Sequence, residues 1–517
     1  MGAMPTAPID RLRSDLTDAG FTVQQLDGLW PDAAADALRR GHPSSARRAL
    51  GRLERSPRTT LAALFLLGDP VPAADAAAAL PALGIDGAVE LGLLRVADGS
   101  AAAALDLQPY AFRDRHGEGH WWLLSDLGER MRGGEPLPED HVLGIGGATL
   151  TLSGLIPPAR PDGGRFAAAL DLGTGCGIQA LHAARHADRV VATDISHRAL
   201  RLAELNARLN GVVTIEFRHG DLLDPVAGER FDLVVSNPPF VITPRVDGVP
   251  AYEYRDGGRV GDALVEEVVR GIAGVLAPGG VAQLLGNWEH RWGADGLDRA
   301  AGWAREAGLG HWIVERERQD PALYAETWIR DGGTRPGTPA FASLLDAWLD
   351  DFEARGVLGV GFGYMLLTAD PGLARSERLT GALGDTPAGL GEHLHARLAA
   401  RAAIVGLDDA ALLRIRFARA VDVTEERHYW PGEPDPTVLL LRQGGGFART
   451  IEAGTGLAAL VGASDGELAL GQLTAAIAAL LEADPAALAA ELAEQVRELV
   501  TAGLLDPLVE IAAGEPA

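Results

Sequence analysis

The stretch Asp171-Leu172-Gly173-Thr174-Gly175-Cys176-Gly177 decides how the middle of this chain folds. It ends an apolar run at 168–172 and opens an amphipathic segment at 177–186, so it reads as a strand that turns through a glycine loop into a helix. Such a loop lets the backbone turn sharply and approach a ligand, as in the first unit of a doubly wound α/β sheet. Asp171 bears on the ligand's charge, because a carboxylate there suits an ammonium group and repels a dinucleotide pyrophosphate. Cys176 lies between loop glycines without an evident base partner and reads as a small spacer rather than a nucleophile.

Outward from this loop, strands and amphipathic helices alternate between about 141 and 370, which calls for a parallel sheet covered on both faces. Strands are expected at 168–172, 189–193, 214–218, 233–236, 281–286, 311–315 and 357–368, with helices such as 177–186, 197–209 and 262–276 between them. Asp194 closes the second strand 23 residues after Asp171, the place for an acid that accepts both hydroxyls of a ribose, with Ile195 beside it. Its competing role is to cap the helix that begins after Ser196. Asp221-Leu222 follow the third strand, where a carboxylate can accept an adenine amino group, and Asp224 shares that loop.

The fourth strand ends in Val234-Val235-Ser236-Asn237-Pro238-Pro239-Phe240. The Asn237 side-chain oxygen and the Pro238 carbonyl can each accept one hydrogen of a planar NH2 group, while two prolines fix the backbone and remove donors. Phe240 can cover one face of that group. An NH2 whose lone pair is delocalised is a poor nucleophile, so the gain comes from orientation and from stabilising the charge that develops on nitrogen. Candidate substrate contacts are Tyr252, Tyr254, Arg255 and Arg259 in the segment that follows, and Trp288 beside Asn287 after the fifth strand. The glycine-rich segment 142–149 is placed either to close over the cofactor or to act as a hinge.

Taken together, Asp171 to Gly177, Thr193-Asp194-Ile195-Ser196, Asn206-Ala207, Phe231-Asp232, Asn237 to Phe240 and Pro278-Gly279-Gly280 make residues 141–290 resemble the small-methyltransferase superfamily. That superfamily includes HemK/PrmC-type protein glutamine and RsmC-type rRNA guanine N-methyltransferases. Arg255-Asp256-Gly257-Gly258 with Gly261-Asp262-Ala263-Leu264 is similar to the segment after the catalytic motif in the HemK-like branch. The resemblance implies a class I, Rossmann-like fold with a seven-stranded sheet whose last strand is inserted antiparallel, and S-adenosylmethionine as cofactor. It implies a cofactor site at Asp171, Gly173, Thr174, Gly175, Gly177, Asp194, Ile195, Asp221, Leu222 and Asn237, and a catalytic motif at Asn237, Pro238, Pro239 and Phe240. Two departures concern the acceptor. Phe240 stands where the glutamine-modifying branch commonly has Tyr, and the flanks match neither that branch's short helical domain nor the duplicated domain of rRNA enzymes.

Those flanks read as α+β modules. Residues 1–140 show helical patterns at about 9–19, 32–40, 44–56, 59–67 and 72–82, then short strands near 92–96, 104–107 and 121–124, the order of a winged helix. Residues 371–390 read as a Gly-rich linker, and 391–517 as a second winged-helix-like or peptide-binding domain, with strands near 412–422 and 437–442 and a long helical tail at 467–503. With 517 residues the chain is expected to hold about three domains.

All 46 basic residues are Arg, and the formal net charge of -25 argues against a broad nucleic-acid surface. The single cysteine excludes an intramolecular disulfide, no metal site is expected, and no apolar run reaches the length of a membrane span, so a cytoplasmic protein without a membrane partner is expected. The leading expectation is an N-methyltransferase whose acceptor is an amide or amine on a protein or peptide. A nucleic-acid base, a small natural product, and a non-catalytic S-adenosylmethionine-sensing DNA-binding regulator stay open beside it, as does the oligomeric state.

Overall fold

The computed structural model describes residues 7–508 apart from 129–130, 133–136, 251, 253–254 and 388. The chain divides into two compact units, residues 1–153 with 166–378, and residues 154–165 with 379–517.

The first unit is organised by one sheet. Its strands in chain order are β1 (Phe166–Leu172), β2 (Ala187–Asp194), β3 (Ile215–His219), β4 (Phe231–Ser236), β5 (Leu276–Arg291), β6 (Gly310–Gln319), β7 (Val357–Thr368) and β8 (Ala374–Arg378). In space they run β8-β6-β7-β5-β4-β1-β2-β3. All six residues of β4 are buried, because a central parallel strand is covered on both faces and reads as an unbroken apolar run rather than an alternating one. As expected, β7 enters antiparallel between β5 and β6, pairing Thr368 with both Val281 and Gly310. The sheet has eight strands rather than the expected seven. The extra one, β8, comes from the stretch read as linker, where Ala374 to Arg378 pair in parallel with His311 to Glu315. Its charged, alternating residues suit a sheet edge and mask the strand in a hydropathy pattern.

The order reverses between β1 and β4, where Leu172 lies opposite Ser236. Ligands in open α/β sheets bind outside the carboxyl ends of the strands at such a switch point. Six helices matter to the site: α1 (Ile178–His186), α2 (His197–Leu209), α3 (Ala263–Ile272), α4 (Gly296–Glu306), α5 (Pro321–Asp331) and α6 (Pro339–Ala354). The last two are inserted between β6 and β7, and both begin with a side-chain cap followed by proline, Asp320-Pro321 and Thr338-Pro339.

The N-terminal region shares a hydrophobic core with α1 and α2: Phe21, Phe65, Leu107 and Trp122 pack in one cluster with Ile178, Leu181, Leu202 and Leu209. It contains a helix, strand, helix, helix, strand, strand sequence from Pro57 to Ala103, with three strands in the order Val71–Pro72, Ser100–Ala103, Leu94–Ala97. A longer hairpin, Asp106–Asp114 with Gly117–Ser125, follows. The helix expected at 44–56 stops at Leu50. The strand Ser100–Ala103 is nearly all alanine, which carries little strand signal.

The hairpin is joined to the sheet layer by an unusual ladder. Asn206 accepts from Leu124 N–H (2.7 Å) and donates to the carbonyls of Leu124 and Cys176 (both 2.8 Å), while Asn210 accepts from Trp122 N–H (2.9 Å) and donates to its carbonyl (2.8 Å). Four helical residues rise about 6 Å and two strand residues about 6.6 Å, so asparagines four apart can imitate a neighbouring strand.

In the second unit, the expected helical tail at 467–503 is broken. A strand, Asp465–Ala469, precedes the helix Leu470–Leu481, which ends at Glu482 in a left-handed conformation (φ 52°). A new helix, Pro485–Ala502, then starts behind the Asp484 cap. Gly391 lies so close to the Ile156 carbonyl that a Cβ would come within 2.1 Å, which ties the short segment 154–165 into this unit. No helix among the described residues is long and apolar enough to cross a membrane.

We predict that Asn206→Ala, which strips partners from Leu124 and the Cys176 carbonyl at a fully buried position, destabilises the protein by about 1–3 kcal/mol. Urea unfolding would show this as a lowered midpoint; an unchanged midpoint would mean the ladder contributes nothing net.

Candidate active site

Sheet register brings four chain segments to one edge. Leu172 is opposite Thr193 on one side and Ser236 on the other, and Asp194 is opposite His219. The glycine loop, Asp194, the Asp221 loop and the Asn237 motif therefore leave the sheet at a common level. Ser236 fixes the central pair by donating to the Leu172 carbonyl (2.8 Å).

Gly173, Gly175 and Gly177 all adopt left-handed φ values (74°, 54° and 86°). At Gly173 and Gly175 a Cβ would meet nothing within 4 Å, so open space borders the loop, whereas at Gly177 it would come within 2.8 Å of the Ala203 Cβ in α2. Asp194 braces this loop: one oxygen accepts from Gly175 N–H (2.9 Å) and the other from Ser196 N–H (2.8 Å). The expected cap role does not fall to Asp194: Ser196 caps α2, its Oγ accepting from Ala199 N–H, because Asp194 lies two residues before that position and braces the loop instead. Burial raises the pKa of Asp194.

Asp171 is 1% exposed and accepts from Thr174 Oγ1 (2.5 Å). Burial, partly offset by the Thr174 and Ala180 hydrogen bonds, pushes its carboxyl up to about 7. Cys176 is buried, which pushes its thiol up to about 11 and away from thiolate chemistry. Ile195 is exposed beside Asp194, and its carbonyl is within 2.9 Å of His219 Nε2. Leu222, next to exposed Asp221, has φ 42°, an uncommon conformation for a bulky residue that concentrates at functional sites.

In the motif after β4, Pro238 is buried and the Asn237 Oδ1 atom is shielded from solvent with no hydrogen-bond partner among the described residues. The chain then doubles back: Phe240 bridges Asp256, and Val241 N–H donates to the Arg255 carbonyl (2.8 Å). Arg245 pairs with Asp256 and also donates to the Arg259 carbonyl, so this loop is clamped rather than freely solvated. Tyr324 of α5 anchors it from behind. Its hydroxyl oxygen accepts from Ile242 N–H (2.9 Å) and Asn287 Nδ2 (3.0 Å), and its ring stacks on Phe362, which meets Phe240 edge-on.

The remaining candidates separate. Tyr252 and Arg255 come together, with the guanidinium 4.6 Å from the ring centre. Arg259 turns outward to Glu267. Trp288 is not at the site: it is fully buried in the core beneath α3 and α4 and donates to Glu315 (2.6 Å), because its neighbour Asn287 takes the site-facing side of β5. Tyr254 lies outside the described residues. The glycine-rich segment reaches α1, where Gln179 donates to the Thr149 carbonyl (2.9 Å). Tyr324 is the residue at this site that the sequence alone did not single out; its place behind the Asp320-Pro321 cap on α5 was the only local signal.

A doubly wound sheet with one antiparallel strand, a glycine loop and an acceptor-lined motif at the switch point defines a class I methyltransferase fold. Residues 159–290 match the model of the methyltransferase small domain, so this segment is similar to the small-methyltransferase family. Residues 18–104 match a domain of unknown function (DUF7059). The chain is 41% identical over 123 residues to a release factor glutamine methyltransferase of Moorella thermoacetica, covering 22% of this chain and 44% of that protein. It is 34% identical over 119 residues to a putative protein N5-glutamine methyltransferase of Methanocaldococcus jannaschii, covering 22% and 59%. The chain therefore spans about half the length of these relatives.

Asp171 generates a pH prediction. Its folded pKa is raised above the ordinary 3.8, so between about pH 4 and 7 the unfolded chain binds fewer protons and stability falls as pH rises. Asp171→Asn should be more stable relative to wild type at pH 8 than at pH 4.5 in parallel urea titrations; a difference independent of pH would refute the assignment.

Proposed function

We propose that the protein is an S-adenosylmethionine-dependent N-methyltransferase acting on a planar side-chain amide of a protein or peptide. The orphaned, shielded Asn237 Oδ1 carries this reading, because a buried acceptor without a donor is costly and is relieved by an incoming NH2. The family match and the glutamine-modifying relatives support the amide as the acceptor class.

The donor set fits the cofactor. Open space borders Gly173 and Gly175, Asp194 retains acceptor positions for ribose hydroxyls, and Ile195 offers an exposed apolar surface beside Asp221 for a base. Asp171 offers a buried carboxyl whose raised pKa an ammonium group would lower, drawing it into the charged form. When bound, the cofactor supplies an electrophilic methyl on a sulfonium. The chain's own part is positional: Asn237 Oδ1 and the Pro238 carbonyl accept the two amide hydrogens and orient the nitrogen toward the sulfonium methyl. Phe240 covers the amide face, and the proton that methylation acidifies leaves to solvent. No strong base is required.

We read the flanks as winged-helix-like modules that present the acceptor, with working boundaries at 1–140, 141–370 and 391–517; of the stretch 371–390, residues 374–378 belong to the central sheet as β8. The strand order of the N-terminal three-stranded sheet supports this reading. The lone buried cysteine suits a cytoplasmic setting.

Asn237→Ala should lower turnover by roughly 10²–10³-fold while changing cofactor affinity little. Radiolabelled S-adenosylmethionine incubated with fractionated lysate should mark a protease-sensitive, nuclease-resistant fraction. Label lost to nuclease would instead make the acceptor a nucleic acid, and label resisting both in a small-molecule fraction would overturn the reading.

A further inference from the structure

Two imidazoles stand at the open edge of the sheet, and the proposed transfer uses neither. Register puts His219, the last residue of β3, opposite Asp194, the last of β2, and Gly220 N–H closes the main-chain ladder there on the Asp194 carbonyl (3.1 Å). Beyond that bond the two strands part. His219 reaches one residue further, with its Nε2 2.9 Å from the Ile195 carbonyl. A carbonyl oxygen only accepts, so Nε2 carries the hydrogen. The His219 ring lies flat on that of His197, the first residue of α2, with centres 3.7 Å apart and planes 8° from parallel.

His219 joins the two walls of the gap that the parting strands leave. One wall is Ile195, 57% exposed, in the tight turn that Ser196 N–H makes on the Asp194 carboxylate. The other begins at Asp221 and Leu222 and is fixed by its own contacts. Arg218 donates to the Pro225 carbonyl (3.0 Å), and a Cβ on Gly220 would come within 2.4 Å of the Pro225 ring. A gap that reads a planar base needs a set width, since an apolar face on one side and a carboxylate on the other must both meet the ring. Both histidines are exposed, so the fold does not need them to fill its interior.

We propose that His219 is a positioning residue of the cofactor site: its Nε2–H, by holding the Ile195 carbonyl, sets the distance between the Ile195 and Asp221 walls and thereby the preference of the site for adenine. His197 keeps the imidazole in the plane that reaches the carbonyl. The inference rests on the S-adenosylmethionine reading of this edge and adds to it a residue that acts through Ile195 rather than on the ligand.

Calorimetry on the full-length protein compares S-adenosylhomocysteine with S-inosylhomocysteine, in which a carbonyl replaces the 6-amino group of the base. The wild type should favour the adenine form by about tenfold or more, because a carboxylate at Asp221 accepts from the amino group and repels the carbonyl. His219→Ala and His219→Phe should each weaken S-adenosylhomocysteine by about three- to tenfold, the loss of one hydrogen bond, and cut the adenine preference by at least about threefold. The Phe variant keeps a ring to stack on His197 and lacks the donor, so a role in packing alone would spare it. Melting temperatures identify the folded variants, and either one that folds decides the matter. An adenine preference that a folded variant retains, or that the wild type lacks, overturns the positioning role while leaving the cofactor reading intact. A wild type that binds neither compound sinks the cofactor reading, and this inference with it.

Discussion

The parallel pairing of β1 with β4 is the constraint on which the site depends. Leu172 opposite Ser236 places the glycine loop and the Asn237 motif side by side at one sheet edge, and the Ser236 hydroxyl bond to the Leu172 carbonyl holds that level. A slip of one residue would turn every side chain of β4 to the other face, which its uniformly buried sequence would tolerate poorly around the packed helices. The neighbouring pairings then bring in Asp194 and the Asp221 loop at the same height.

Around that edge the protein keeps polar groups under tension. Burial raises the Asp171 carboxyl to about 7, the Asn237 side-chain oxygen has no donor among the described residues, and Leu222 sits in a left-handed conformation. Each costs stability in the free protein, the mark of positions where strain and unmet polar groups gather at functional sites. Elsewhere buried charge is paired, as where Arg355 and Arg291 meet Glu289 and Arg299 meets Asp262.

Legibility followed the physics of each segment. Seven strands of the sheet and the antiparallel last crossing were readable because central parallel strands are continuous apolar runs and the glycine loop has few uses. β8 was not, because Arg375, Glu377 and Arg378 give an edge strand the look of a loop. Trp288 and Asn287 show the limit for site residues: adjacent positions on one strand face opposite ways, and nothing local says which one meets the ligand. Tyr324 acts on the motif from 82 residues away through its hydroxyl, a relation that only the fold creates.

The core shared by the N-terminal region with α1 and α2 makes this methyltransferase fold a dependent structure. Leu181, Leu202 and Leu209, which in a free-standing domain would face solvent, are instead interior positions covered by Phe21, Phe65 and Trp122. Their side chains are thus free to be large and apolar, and the Cys176 carbonyl in the glycine loop takes a bond from Asn206, which the hairpin also holds. The two parts therefore form one interior: packing lost beneath Trp122 or Phe65 reaches the glycine loop through α1, α2 and Asn206, so the two parts stand or fall as a single folding unit.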